Sequence, residues 1–435
     1  MLRTIDLRGQ ELTPSALHQA LPRAVSDPGT AQQVVAELID DVRGRGEAAL
    51  REQAERFDGG APSELRVPEA QIDAAVADLD PALRAALDTA IQHVRAASRA
   101  QVPQPATTRI GDGAVVHQRY LPVGRVGLYV PGGRAVYPSS VVMNVVPAQE
   151  AGVGSIALAS PPQRAYGGRV HPGILGAAGL LGVREVYAMG GAGAIGAFAH
   201  GVSGVGLQPV DVVTGPGNVY VAAAKRAVAG LVGIDAEAGT TEILVLADED
   251  ADPDLVAADL LSQAEHDPLA GAVLVTTSAS FAALVDDRLQ ARADATTHRE
   301  RVAAALSGAQ SAIVLVDDED AAVTVVNAYA PEHLEVQVRD PQAVLPRLVN
   351  AGAIFVGPYS PVSLGDYLAG SNHVLPTGGT ARFTAGLSVL PFLRQQQVVE
   401  YDRDALALAR PHIRVLAETE HLPAHADAVD ARFRP

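Results

Sequence analysis

Apolar side chains recur every three or four positions between residues 31 and 100, in "AQQVVAELIDDVRGRGEAALREQAERFD" and again in "PALRAALDTAIQHVRAAS". That period predicts amphipathic helices, the second starting at Pro81. From residue 113 the pattern changes to "GAVVHQRYLPVGRVGLYVPGG", rich in β-formers and punctuated by Gly and Pro. Short apolar runs then alternate with helical stretches. "GSIALAS" (154–160), "EVYAMGG" and "DVVTGPG" read as strands, and "GGRVHPGILGAAGLLGV", "AIGAFAHGV" and "NVYVAAAKRAVAGLV" as helices. A second series opens at "EILVLAD" (242–248). It continues with a helix at 252–266, "GAVLVTTS", a helix at 279–306, "SAIVLVDD", a helix at 318–329, "HLEVQV" and "GAIFVGP". This alternation predicts βαβ units and parallel sheets. Two α/β blocks follow, about 129–239 and 240–385, with the helical 22–128 segment expected to pack on the second. The last 50 residues are expected to be helical and to dock on another body.

Composition narrows the function. A chain of 435 residues is long for one core. The formal charge of -17 leaves no basic excess for a nucleic-acid partner. With no Cys there are no disulfides, no thiolate ligands and no cysteine nucleophile. The start, "MLRTIDLRGQELTP", lacks a signal-peptide pattern, and no apolar run reaches membrane length. A soluble, cytoplasmic enzyme is the expectation. Lys225 is the sole Lys, on an amphipathic helix, and is expected to be solvated or to face a phosphate.

Three glycine-bearing loops follow strands in the first block: "GLYVPGG" (127–133), the Gly191-x-Gly193-x-x-Gly196 run, and "TGPGN" (214–218). Such loops let a phosphate approach a helix N-terminus. Asp211, 20 residues past Gly191, stands where a ribose-binding acid could sit. Close helix–strand packing explains the same glycines, but three loops together favour a nucleotide.

The second block gathers polar chemistry. "DLLSQAEHDP" (259–268) puts Gln263 and His266 three apart on one helix face. "APEHLEV" sets Glu332 beside His333, a carboxylate and an imidazole suited to base work, although a plain loop surface offers the same pair. "GPYSPVSLGDYLAGSNHVLPTGGTARF" (357–383) is a long irregular segment, usually functional, with Asp366 and His373 as candidate ligands. "AETEHLPAHADAV" supplies Glu420, His421 and His425, with Pro423 breaking the spacing between the two histidines. A shell of Gln263, His266, Asp366 and one late His would suit zinc, or manganese as a harder alternative.

Taken together, "IDAEAGTTEILVLADEDADPDLVAADLLSQAEH", "APEHLEV", "GDYLAGSNHVLPTGGTARF", "AETEHLPAH", "GLYVPGG" and "GPGNVYVAAAKR" closely resemble the histidinol dehydrogenase family, in order and over nearly the whole chain. The resemblance implies an α/β fold: two incomplete Rossmann-like, aldehyde-dehydrogenase-like parallel-sheet domains plus a helical C-terminal tail domain. The implied division is an arm at 1–21, a catalytic domain of 22–128 and 240–385, an NAD-binding domain at 129–239 and a dimerisation tail at 386–435.

It further implies oxidation of L-histidinol to L-histidine through a bound aldehyde with two NAD, closing histidine biosynthesis. One zinc per subunit is implied on Gln263, His266, Asp366 and His425. An intertwined homodimer is implied, with His425 and the substrate-facing Glu420 reaching the partner's site. Glu332 and His333 match the catalytic bases, Thr241 a substrate contact made also by Gln263, His266, His333, Asp366 and His425, His373 a lesser contact, and Tyr129 and Asn218 the NAD contacts. Two positions depart from the pattern: Thr240-Thr241 stands for Pro-Ser, and Gly193 stands where a Gln often faces NAD. The alternative is a zinc- and NAD-dependent dehydrogenase of another small polar alcohol, such as a sulfonated diol, on the same scaffold. With no Cys, aldehyde oxidation would pass through a hydrated gem-diol rather than a thiohemiacetal.

Overall fold

Both apolar series fold into parallel sheets in the computed structural model, which describes residues 1–24, 28–60, 62–132, 136–236 and 239–434. In chain order the first strands are β1 (Arg3–Asp6), β2 (Ala106–Gly111), β3 (Ala114–Pro122), β4 (Arg125–Tyr129), β5 (Ser155–Ser160), β6 (Val186–Ala188) and β7 (Val212–Thr214). They are followed by β8 (Gly233–Ile234), β9 (Glu242–Ala247), β10 (Gly271–Thr276), β11 (Ala312–Leu315), β12 (His333–Gln337), β13 (Ala353–Val356) and β14 (Leu393–Tyr401).

The chain divides into one unit of Met1–Gln101 with Gly124–Phe392 and another of Val102–Val123 with Leu393–Pro435. The larger unit holds two sheets, ordered β6-β5-β4-β7-β8 and β1-β11-β10-β9-β12-β13, with every neighbouring pair parallel. The central strand β9, "EILVLA", is buried at all six positions. Such continuous apolar runs belong to sheets covered on both faces. Side chains such as Val245 and Leu274 pack under one face of this sheet, and Leu244 and Val273 under the other. The expected N-terminal arm contributes β1, an edge strand in register with β11.

The early helices go elsewhere than expected. The Pro28–Arg45 helix packs on the Gly191–His200 and Val219–Val228 helices. The Glu69–Ala77 and Pro81–Gln101 helices pack on Pro172–Leu180 and Pro138–Glu150. They thus cover the 129–239 block, not the second one. An apolar stripe states that a helix has a partner, and does not state which. The expected single helix at 279–306 is two, Ala279–Ala295 and Arg299–Ser307. Thr296 adopts extended backbone and ends the first.

The smaller unit corrects the expectation of an all-helical tail. β14 pairs antiparallel with β3, which pairs with β2. β14 reads "LRQQQVVEY" and is exposed at seven of its nine positions, so no period-two apolar pattern announced it. Helices Arg403–Thr419 and Pro423–Asp430 follow and pack together, Asp430 pairing with Arg410 and Arg414. Leu408, Val415 and Leu416 on the first of them are exposed. Among the described residues no helix is long and apolar enough to cross a membrane.

Candidate active site

Strands β9 and β12 are neighbours with Ile243 opposite His333. Thr241 and Glu242 therefore stand beside Glu332 and His333 at the amino ends of two adjacent strands. Both members of the expected base pair are buried. Glu332 Oε2 accepts from the Thr241 hydroxyl at 2.6 Å and from the Glu242 amide at 2.9 Å. It lies 3.5 Å from His333 Nδ1. Desolvation drives the Glu332 carboxyl well above the ordinary carboxylate range, against those two hydrogen bonds. Desolvation also lowers His333, leaving a neutral imidazole. His333 Nδ1 sits 3.1 Å from the Glu242 carbonyl, an acceptor only, so Nδ1 carries the proton and Nε2 keeps its lone pair.

Gln263 lies in the last turn of the Pro253–Ala264 helix, and His266 just beyond its end. The Gln263 side chain is 1 % exposed and its Nε2 donates to the Thr241 hydroxyl at 2.7 Å. Its Oε1 is buried with no hydrogen-bond partner. An amide oxygen in that state needs a donor or a cation. His266 Nε2 lies 3.9 Å from Asp366 Oδ2, the latter on the short Val362–Tyr367 helix. Burial favours neutral His266. Glu265 is exposed at the helix cap, outside this group. His373 bonds the Asp366 carbonyl through Nδ1 and the Ser140 hydroxyl through Nε2, both at 2.9 Å. Thr241, where the resemblance implied a substrate contact, has its hydroxyl committed to Glu332 and Gln263.

Apart from Gln263 and Glu265, these groups face a cavity of about 1140 Å³, larger than a single small ligand needs. Thr241, His266, Glu332, His333, Asp366 and His373 line one part. Other parts are lined by Tyr129, Gly190, Gly191 and the Pro216–Asn218 loop, beyond the carboxyl ends of β4, β6 and β7. Ligands bind at such ends in open α/β sheets. The second sheet departs from that rule by presenting Glu332 and His333 at amino ends.

Tyr129 is buried and its hydroxyl accepts from Gly191 N at 3.2 Å. Asn218 caps the Val219–Val228 helix, its Oδ1 accepting from Tyr220 N at 3.0 Å. Gly215 has φ +128, and a Cβ there would stand 2.0 Å from the Tyr129 carbonyl, so only glycine fits. Gly133 lies outside the described residues.

Lys225 is neither solvated nor phosphate-facing. It is 1 % exposed, bonded to Asp235 Oδ1 at 2.6 Å and to the Gly215 carbonyl at 3.0 Å. Asp235 Oδ2 accepts from Gly215 N at 2.9 Å, which closes a ring under the Gly215–Asn218 loop. Asp211 is also corrected. It precedes β7, at the end away from the cavity, and accepts from Arg125 N at 2.9 Å. Of the three spaced glycines, Gly196 serves helix packing, since a Cβ would come within 3.2 Å of Ile39. The Gly193 position is filled by Gln53, whose Oε1 lies 2.4 Å from where a Cβ would be.

Glu420 and His425 belong to the smaller unit and are exposed there, Glu420 at the cap of Arg403–Thr419 and His425 in the first turn of Pro423–Asp430. His421 lies between those helices with φ 56, so the two histidines share no helix face. Among the described residues no three His, Cys, Asp or Glu side chains form a group able to hold a metal.

Several supports were not legible in the sequence. Arg23 pairs with buried Glu242 at 3.2 Å and also donates to the Tyr329 carbonyl. Glu242 accepts from Tyr329 Oη at 3.2 Å and Gly378 N at 3.1 Å. Thr377 Oγ1 accepts from Gly239 N at 2.6 Å. Glu242, Thr377 and Gly378 fall within recognisable stretches, but no spacing marks them, and each acts only through the fold.

Under β12, Glu335 Oε1 accepts from Val362 N at 3.1 Å. Burial, with Asp259 beside it, pushes Glu335 up to about 9. Gln337 bonds the same carboxyl, and Arg292 acts on Asp259. The interaction between the two carboxyls favours the proton on Glu335. The unfolded chain releases this proton in the ordinary carboxylate range, the folded chain only near 9. The contribution to stability is full below the unfolded value and is lost as pH rises through the folded one. Glu335→Gln keeps a donor and an acceptor without the titration. Its denaturant midpoint is expected to exceed the parent's at pH 9 and to approach it near pH 4; a parallel offset at both would reject the linkage.

A family model for histidinol dehydrogenase matches residues 21–433. A histidinol dehydrogenase of Leifsonia xyli subsp. xyli is 64% identical over 432 residues, covering 99% of both chains. One of Thermobifida fusca is 58% identical, covering 100% of this chain and 98% of its own. The crystal structure of a histidinol dehydrogenase from Elizabethkingia anophelis superposes with a TM-score of 0.92 at 31% identity, covering 99% of this chain and 98% of that one.

Proposed function

This chain belongs to the histidinol dehydrogenase family, and from that premise we propose that it oxidises L-histidinol to L-histidine through a retained aldehyde, with two NAD and one zinc per subunit. The observation that carries the reading is the run Gln263–Thr241–Glu332 beside His333, which ends at the orphaned Gln263 Oε1.

The residues fit zinc: a buried amide oxygen without a donor, a neutral imidazole at His266 and the Asp366 carboxylate give an N/O set. Gln263, His266 and Asp366 of one subunit would hold the ion together with His425 of the partner subunit. When bound, zinc supplies an anchor for the substrate's imidazole and amine. When bound, NAD supplies the acceptor for the hydride of each oxidation, and Tyr129, Asn218 and the glycine loops offer it a polar, sterically open wall.

His333 Nε2 takes the hydroxyl proton as the alcohol carbon loses a hydride, so that a proton and a hydride, two hydrogens and two electrons in all, leave the substrate. Glu332, ionised, removes a proton from the water that adds to the aldehyde, while the protonated His333 returns its proton to the aldehyde oxygen, which gives the gem-diol and leaves His333 neutral again. His333 then takes a diol hydroxyl proton as the second hydride leaves, and the acid is formed. The Glu242 carbonyl holds the imidazole in the tautomer this requires. Glu420 of the partner subunit would pair with the substrate ammonium. The exposed Leu408, Val415 and Leu416 support a homodimer, and the cytoplasm is the proposed location.

The test is stoichiometric. Two NADH are expected per histidinol consumed, with histidine as product; one NADH with aldehyde accumulating would reject four-electron oxidation. Dialysis against chelator is expected to remove activity and zinc addition to restore it. Full turnover by metal-free protein would sink the metal site.

A further inference from the structure

The acid expected at the ribose, Asp211, lies at the far end of its strand, yet another carboxylate occupies the cavity wall. Asp58 ends the π-helical turn Ala54–Asp58, which continues the Glu47–Gln53 helix. π-turns recur at functional sites. Asp58 lines the cavity together with Tyr129, Gly190 and Gly191. A Cβ on Gly190 would stand 2.7 Å from Asp58 Oδ2 and 2.8 Å from Oδ1, so the absent side chain makes room for this carboxylate.

Asp58 has no compensation. Desolvation alone acts on it and pushes it up to about 7; among the described residues no hydrogen bond or cation offsets the cost. Gly191 N, in the first turn of the Gly191–His200 helix, is bonded to the Tyr129 hydroxyl. An uncompensated carboxylate facing a cavity calls for a donor from the ligand. A ribose diol supplies hydroxyl donors. A 2′-phosphate replaces one of those donors with negative oxygens, which repel the carboxylate.

We propose that Asp58 selects the cofactor: its carboxylate accepts from a hydroxyl of an unphosphorylated ribose and so favours NAD over NADP. This rests on the NAD-dependent reading above. Arg56 lines the same large cavity, where it stacks on the Phe57 ring at 4.8 Å and does not act on Asp58.

The experiment measures kcat/KM with NAD and with NADP at saturating histidinol for the parent, Asp58→Asn and Asp58→Ser. Both variants are expected to raise KM for NAD about tenfold, one lost hydrogen bond to a charged group being worth that much. The loss falls on KM for NAD rather than KM for histidinol. The NADP-to-NAD ratio of kcat/KM is expected to rise at least ~10-fold. An unchanged ratio in variants that melt like the parent would overturn the proposal. So would a loss spread equally over both substrates, the mark of a structural role. Calorimetric titration of the parent with NAD alone separates the two levels: a parent that neither binds NAD nor forms NADH overturns the NAD reading itself.

Discussion

Glu332→Gln is expected to leave a chain that converts histidinol to the aldehyde and stalls there. Its rate of aldehyde oxidation should fall by roughly 10²–10⁴, the usual worth of a positioned general base. The amide retains an oxygen to accept from Thr241 Oγ1 and Glu242 N, which now bond Oε2. The geometry is kept while the base is lost. Stability should not suffer, because the replaced group is a buried carboxyl that its surroundings already hold toward the neutral form. In the proposed mechanism the parent needs Glu332 ionised to activate water, and its proton is lost above the ordinary carboxylate range. Aldehyde oxidation in the parent should therefore gain with rising pH in that displaced range, and the variant should lack the gain. Single-turnover NADH formation from histidinol and from supplied aldehyde reads the two halves separately. Equal losses in both would contradict the assignment of water activation to Glu332.

The contrast between these two neighbours shows what a sequence can hold. The alternation of "EILVLAD", "GAVLVTTS" and "HLEVQV" with helices was enough for parallel sheets, because strands covered on both faces are apolar throughout. Strand β14 was not legible, since a polar, largely exposed ribbon carries no apolar period. Glu332-His333 could be picked out as a pair, yet a loop surface would look the same; what separates them is desolvation, a property of the packed fold. Lys225 shows the reverse failure. Amphipathic placement suggested a solvated cation, and the fold buries it against Asp235, 10 residues further on, to brace a glycine loop. Spacing also misplaced the ribose acid, because counting 20 residues from Gly191 ignores a route through the Glu47–Asp58 segment. The expected ligand Gln263 is a different case, since its unsatisfied oxygen is visible in three dimensions and in no motif.

Two inactive chains are expected to make an active protein when combined. Among the described residues, Gln263, His266, Glu332 and Asp366 lie in the larger unit, while Glu420 and His425 are exposed on the smaller one. If the smaller unit serves the neighbouring subunit, His425→Ala removes a ligand from the partner's site, and Glu332→Ala removes the base from its own. A mixed dimer then has one doubly defective site and one intact site. The intact site combines the larger unit of the His425→Ala chain with the smaller unit of the Glu332→Ala chain. Random assortment at equal amounts makes half the dimers mixed, each with one working site of two, so about a quarter of parental activity should return. Each variant alone should remain near zero, and differently tagged chains purified in sequence should raise the recovered activity to about a half. If both ligands instead served their own subunit, the mixed dimer would hold two damaged sites and recover nothing. Tagged heterodimers that are present by mass and inactive with histidinol would therefore reject the shared site, while leaving the chemistry of Glu332 and His333 untouched.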